Sequence, residues 1–516
     1  MPADDSGTAS AHGPADRPGP AAPLQPLGPW NPGITSTLPR RLFPLATVLD
    51  PQNAAMSVPE IVELADVSGL PKHVVSELRP ERLVLHDVLV RVMTEISIDD
   101  GPEQGDLGVE FRRVVSTLME RHLCAHMPAF AALYAQARCE IERVIDERLA
   151  ALQRPSPAPH RPADRPSGWR KLFRRPRASE APAQSSPLDG VHELQALDGW
   201  LRESRDGASP LCRACSAALH KSGRAILARQ GRLAGRSAIL KRVATALAAN
   251  EHGADVLSAS LDPHFRTAIA AEGLRVLPSQ SRPIVMNTKG ASASGKSTLR
   301  PRQRALAERI GVSWGDFALI SPDIWRKQLL DYAALGADRR WAGTLTAHEV
   351  EIIDRKLDRH VTARAMAGRR THLLIDRFRF DSFAPDGAED DATQLLTRFG
   401  SEVYMFFVVT PPEATVERSW HRGERVGRYK AVDDLLAHNV EAYTGIPGLF
   451  FRWAASQDKV VHYEFLDNSV PQGEHPRTIA FGQNGAMTVL RVTGLVDIDR
   501  FRQINIAAET PGDVYA

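Results

Sequence analysis

The run Gly290-Ala291-Ser292-Ala293-Ser294-Gly295-Lys296-Ser297-Thr298 has the pattern G-x-x-x-x-G-K-S. Glycines at those two positions let the backbone bend so that successive N–H groups converge on a phosphate, beside the positive end of a following helix. Lys296 has the reach to neutralise charge on β- and γ-phosphates, and the Ser297 hydroxyl is an oxygen ligand of the kind Mg²⁺ takes. ATP and Mg²⁺ are therefore the expected cofactors, with Gly290 to Thr298 as the cradle and Ser297 as the metal ligand. A small-residue turn between a strand and a helix is the plainer alternative.

Three further groups carry candidate chemistry. Asp323 follows the apolar run Phe317-Ala318-Leu319-Ile320 by three residues. A carboxylate there can accept the proton of an attacking hydroxyl, or it can simply favour the start of a helix that Ser321 caps and Pro322 opens. Arg326 lies one turn further on, where it can hold a substrate. Asp376 ends the run Leu373-Leu374-Ile375 and is expected to order a Mg²⁺ water shell or grip the acceptor; Arg377 follows it and is expected to help orient the acceptor. Arg418, Arg422, Arg425 and Arg428 cluster in a segment with Gly423 and Gly427. Guanidinium groups so arranged suit a lid that closes over a transferring phosphate, with the glycines as hinges. Arg422 and Arg425 are assigned the catalytic role there, beside Lys296 and Asp323, while Asp323, Arg326, Asp376 and Arg377 are assigned to substrate binding.

These residues need a scaffold that brings strand ends together. Pro283 to Met286, Phe317 to Ile320, Thr371 to Asp376, Val403 to Thr410 and Val460 to Leu466 are short apolar runs suited to buried parallel strands. Helical patterns at Leu299–Ile310, from Ser321, at Thr346–Ala367 and from Pro411 to about His421 alternate with them, which is the signature of an α/β fold. Ligands of such sheets bind outside the carboxyl ends of the strands. The tail is less regular, with a hairpin turn at Phe481-Gly482-Gln483-Asn484-Gly485.

The 516 residues divide as follows: 1–42, rich in Pro, Ala, Gly and Ser and expected to be disordered; 43–153, helical; 154–190, a Pro/Arg-rich linker; 191–280, again helical; and 281–516, the α/β domain that carries the glycine-rich loop. In the first helical stretch Asp146-Glu147-Arg148 is expected on a wet face. The linker segment Gly168 to Arg177 mixes Trp169, Leu172 and Phe173 with basic residues, which fits an anionic surface or a solvated linker. Net charge is +2, too balanced for a nucleic-acid track, so nucleic acid is not an expected partner. No apolar run has the length of a membrane span, so integral membrane association is not expected. Cys212 and Cys215 form a single C-x-x-C without a second pair at zinc spacing, and read as buried thiols of a helix. His348-Glu349 begins like H-E-x-x-H, but Ile352 stands where the second histidine belongs. Ser292 is not in G-x-S-x-G, because Ser294 occupies the second glycine position.

On the Gly290–Thr298 loop, the Asp323-x-x-Arg326 pair, Asp376 and the arginine-rich segment, the region from about Pro283 to Asp467 resembles the zeta-toxin group of P-loop kinases. The resemblance implies that Asp323 deprotonates a sugar hydroxyl, that lid arginines contact phosphates, and that the acceptor is the 3′-hydroxyl of the amino sugar in UDP-N-acetylglucosamine. The G-A-S-A-S-G-K-S loop, the S-P-D-x-W-R segment and the N-terminus are more similar to the AvrRxo-type effector kinases of plant-associated bacteria. That likeness implies transfer to the adenosine ribose 3′-hydroxyl of NAD, a neutralising antitoxin or chaperone as partner, and a bacterial cytoplasmic protein open to secretion into a host cell. Asp376 in place of glutamate, followed by Arg377 in place of a small residue, departs from the wider group and weighs against the UDP-sugar. A polynucleotide end is a third acceptor, and a nucleotide-gated interaction protein without kinase activity is the reading from another class. The helical regions before about 280 inherit nothing from the resemblance.

Overall fold

The computed structural model describes residues 26–101, 103, 105–153, 187–233, 235–377, 396–471 and 473–515. Its front half runs α1 (Val58–Ser68), α2 (Lys72–Val75), α3 (Pro80–Glu95), α4 (Asp106–Thr117), α5 (Met127–Gln153), α6 (Pro187–Asp206), α7 (Pro210–Gln230), α8 (Ser237–Ala248) and α9 (Ala254–Ala271). The back half runs β1 (Ile284–Lys289), α10 (Arg300–Arg309), β2 (Phe317–Ile320), α11 (Arg326–Leu329), α12 (Ala342–Leu345), α13 (Ala347–Met366), β3 (His372–Asp376) and β4 (Glu402–Val409). It continues with α14 (Pro412–Val426), α15 (Val432–Ala454), β5 (Val460–Asp467), β6 (Arg477–Gln483), β7 (Ala486–Val489) and α16 (Val492–Phe501). The linker segment Gly168 to Arg177 lies outside the described residues.

The strands form one seven-stranded sheet in the order β2-β3-β1-β4-β5-β6-β7. Those from β1 to β5 are parallel, and β6 and β7 are added antiparallel. β4 is rich in β-branched and aromatic residues and is buried along most of its length, as a central parallel strand must be. Side chains alternate between the faces. Val285, Ala318, Ile320, Leu373 and Ile375 share a core with Val84, Val88 and Val92 of α3, Leu257, Leu261 and Phe265 of α9, and Ile353, Leu357 and Val361 of α13. Met286, Phe317, Leu319 and Leu374 face the other way, onto Ala307 of α10 and Leu107 of α4. Further along the sheet, α15 and α16 cover Val403, Met405, Phe407 and Phe465.

The helical segments 43–153 and 191–280 therefore share a core with the sheet. The sequence reading assigns no element to residues 432–454 and treats the segment after 466 as irregular; α15 and α16 stand there, and the sheet face they cover gives them their place. Residues 26–42 fall in the segment expected to be disordered, yet Ile34 and Leu42 are buried beside Trp341, Leu345 and Tyr429. Trp30 packs on the cluster of Val416 and Val432. Proline and glycine hide these anchors from periodicity, because their partners lie far along the chain. Arg148 is not on a wet face. Its guanidinium pairs with Glu203 and donates to the Ser216 hydroxyl at 3.1 Å, tying α5 to α6 and α7.

Polar ties also lock the helical layer to α13. Glu349 is fully buried; Arg82 meets it at 2.5 and 2.8 Å and His86 Nε2 at 2.6 Å, both from α3. Burial alone raises the Glu349 carboxyl, but the bonds from His86 and Arg82 win and hold it at about 2. Burial pushes the His86 imidazole down to about 4. Removing one partner of such a cluster leaves charge buried without compensation. Glu349→Ala is expected to cost about 3–5 kcal/mol, seen as a lower urea midpoint at unchanged slope. The unfolded chain takes up a proton on His86 near pH 6.5 while the folded protein does so only near 4, so stability falls as pH drops through that window, by about 1.4 kcal/mol per pH unit for each such histidine. His86→Gln, which keeps a donor for Glu349, should flatten that slope; an unchanged slope would contradict the assignment.

Candidate functional site

From β1 the chain passes to one side of the sheet, to α10 and β2. From β4 it passes to the other side, to β5. The crevice between the carboxyl ends of β1 and β4 is thus a topological switch point, where open α/β sheets bind ligands. The loop 290–295 occupies it. Gly290 sits so close to β4 that a Cβ would lie 2.8 Å from the Val408 carbonyl oxygen and 2.7 Å from Ser294 Oγ. Gly295 has φ +92°, a left-handed conformation that side chains avoid. The Ser294 carbonyl accepts from Thr410 Oγ1 at 3.0 Å and from Asn468 Nδ2 at 2.6 Å, so residues following β4 and β5 pin the bend. A single turn, Lys296–Leu299, then leads into α10.

Lys296 Nζ donates to the carbonyls of Gly290 at 3.1 Å and Ala291 at 2.8 Å, and so lies across the loop. Burial lowers its pKa, against the pull of Asp376 and Asp323. The Ser297 hydroxyl donates to Asp376 Oδ2 at 2.8 Å. Two hard oxygen donors side by side at the mouth of the loop fit Mg²⁺, which prefers oxygen and keeps several waters. Ser294 Oγ, Arg300 Nε and Arg422 Nε are buried without a hydrogen-bond partner, a set of donors that an anion would satisfy.

Facing the loop is a cluster of guanidinium groups around one acid. Asp323 Oδ1 accepts from Arg326 Nε at 3.1 Å, and Oδ2 lies 2.5 Å from Arg428 Nη2. Arg326 is itself held by the Gly343 carbonyl at 2.7 Å and Thr346 Oγ1 at 2.9 Å. Burial acts to raise the Asp323 carboxyl, but Arg428 and Arg326 hold it well below the usual carboxylate range, even though 47 % of the side-chain surface is open to solvent. Arg422 is pushed down to about 9 by burial and by the charge of Arg428. Burial likewise takes Lys430 to about 8, with Asp434 opposing, and takes His438, in contact with Lys430, to about 3.

Lys296, Ser297, Asp323, Arg326, Asp376 and Arg422 lie around one crevice. Two assigned residues do not join them. Arg377 turns into α13, where its guanidinium meets Asp354 at 2.6 and 2.9 Å and Asp358 at 2.7 and 2.9 Å; it fastens the end of β3 and is not available to an acceptor. Arg425 is exposed on α14. Gly427, at φ +75°, caps that helix and reverses the chain, so that Arg428 is the group that comes back over Asp323. Nor is Gly423 a hinge. It lies inside α14, and a Cβ there would strike the Tyr429 ring at 2.3 Å. Ser321 forms no side-chain cap.

Sequence reasoning missed Lys430, His438, Thr410 and Asn468. The last two directly follow strands, and the strand-end rule could have found them; His438 lies on α15, itself unanticipated.

No protein-family profile matches the chain, and no curated protein matches it. Among solved structures it is similar to the native AvrRxo1-ORF1:-ORF2 complex, at 12 % identity and a TM-score of 0.29. That match covers 45 % of this chain and 66 % of the other, and so distant a likeness assigns no residue a role. Among the described residues, no helix is long and apolar enough to cross a membrane.

The loop's geometry is testable without a ligand. Gly295→Ala forces a side chain into φ +92° and against Asn468 Nδ2 at 2.3 Å, and should destabilise the protein by about 1–3 kcal/mol in denaturant titration. A neutral effect would mean the bend is not held as described.

Proposed function

We propose that the protein is an ATP-dependent kinase that transfers the γ-phosphate to a sugar hydroxyl of a nucleotide metabolite. The observation that carries the reading is the convergence of the glycine-bent loop, Lys296 and the Ser297–Asp376 pair with Asp323 between Arg326 and Arg428. Loop N–H groups and Lys296 would bind the triphosphate, Lys296 exchanging its two carbonyl partners for phosphate oxygens. Ser297 and Asp376 would hold Mg²⁺, which when bound would supply neutralisation of phosphate charge.

Asp323 would accept the hydrogen bond, and then the proton, of the attacking hydroxyl. Its depressed pKa makes it a weak base, which suits a loose phosphoryl-transfer transition state: little proton removal is needed before the phosphoryl group departs, and orientation matters more than basicity. Arg326 and Arg428 fix the carboxylate, while Arg422 and Lys430 would meet charge spreading over the equatorial oxygens. The favoured acceptor is the adenosine ribose 3′-hydroxyl of NAD, which rests on the likeness of the loop and the S-P-D-x-W-R segment. The same likeness suggests a toxin or secreted effector with an antitoxin or chaperone as partner.

With γ-labelled ATP, Mg²⁺ and NAD, label is expected on the dinucleotide, located at the adenosine ribose by mass spectrometry. Asp323→Asn should lower kcat by about 10²- to 10⁴-fold with little change in ATP affinity, and Lys296→Ala should weaken both. Label appearing only as free phosphate, or normal transfer by both variants, would sink the proposal; transfer to UDP-N-acetylglucosamine in place of NAD would redirect the acceptor alone.

A further inference from the structure

His348 and Glu351 stand one turn apart on the first turns of α13, and their neighbour Glu349 is locked inward by Arg82 and His86. That inward anchor sets the rotation of the helix and leaves His348 and Glu351 on its outer face. His73 comes from α2, a short helix held in place by Val75, which is fully buried. The His73 and His348 rings lie flat on one another, with centroids 3.9 Å apart and planes tilted by 11°. His73, His348 and Glu351 each present a donor atom, and these atoms all fall within 4.8 Å of one another. H-E-x-x-H fails in the sequence, but the fold provides a second histidine from a different helix.

We propose that His73, His348 and Glu351 bind a divalent d-block cation, zinc by preference, which clamps α2 to α13. Two imidazoles and a carboxylate are the donor set of three-ligand zinc centres that keep a fourth position for water, and imidazole disfavours Mg²⁺ and Ca²⁺. A tetrahedral centre needs its donors about 3.4 Å apart, given metal–ligand lengths near 2.1 Å. An imidazole ligates through a lone pair in its ring plane, so the two stacked rings do not share an ion as they lie; the side chains of His348 and Glu351 are 55 % and 43 % exposed, with room for His348 to turn off the His73 face and for all three donors to reach that spacing. Arg355 holds Glu351 Oε1 at 2.5 Å, which leaves Oε2 for the metal. Lys221 and Arg355 are the nearby cations that oppose it.

The test uses the full chain stripped with a chelator, then titrated with ZnCl₂ by calorimetry, with Co²⁺ absorption as a probe of tetrahedral coordination. One equivalent of zinc should bind and raise the Tm, while Mg²⁺ should not. His73→Gln and His348→Gln should each weaken zinc binding by about a hundredfold or more, since even outer-shell partners of metal ligands cost about 10- to 100-fold. Cys212→Ser should leave the affinity unchanged. Absence of zinc binding at tens of micromolar, equal affinity in the His73→Gln/His348→Gln double variant, or loss of the site in Cys212→Ser would each overturn the proposal. Phosphotransfer is not the readout, so failure here leaves the kinase reading standing, and the reverse holds too.

Discussion

Positive charge gathered at the end of a sheet is unfavourable unless acids are placed among it, and the contact between Asp323 and Arg428 does most of that placing. Around it stand Lys296, Arg326, Arg422 and Lys430, several of them buried enough that their protonated forms are weakened. Asp323, Asp376 and Asp434 offset part of this charge. Positive charge remains in excess there, beside buried donors on Ser294, Arg300 and Arg422 that have no hydrogen-bond partner. One acid thus holds two guanidinium groups in place and keeps the cluster folded.

The mechanical counterpart is α13. On one side it carries Glu349, bound to α3. Further along, His360 and Arg364 meet Glu95 of the same helix at 2.9 and 2.7 Å. Between these, Asp354 and Asp358 capture Arg377, at the point where β3 ends beside Asp376. The helical layer, α13 and the acid that touches Ser297 are therefore connected through buried ion pairs. Such pairs contribute little net stability against an apolar alternative but are costly to break singly, so they favour one packing over others. This is a physical reason for so long a helical region to accompany a site built entirely from residues after 280.

Much of the α/β half was legible because its signals are local. The short, mostly apolar runs at 283–286, 317–320, 371–376, 403–410 and 460–466 each fall on a strand, at 284–289, 317–320, 372–376, 402–409 and 460–467. The Asn484-Gly485 turn between β6 and β7 was legible for the same reason, Asn484 taking φ +48°. Arg377 and Arg425 were misplaced because position in sequence sets neither where a long side chain finds its counter-charge nor where a helix ends. Arg377 found two aspartates on α13, and Gly427 made Arg428 the residue that returns to the crevice. The order of residues 26–42 was illegible because their anchors are scattered among prolines and glycines.

By itself, the sequence determined where the chain bends at a glycine, which runs alternate as strand and helix, and which residue types at which spacing could grip a phosphate, since each of these depends on neighbours within a few positions. Tertiary structure alone decided which arginine meets Asp323, that Ser297 touches Asp376, and that His73 stacks on His348. Those outcomes depend on how separate elements pack across a shared core, and packing is a property of distances that no stretch of sequence contains.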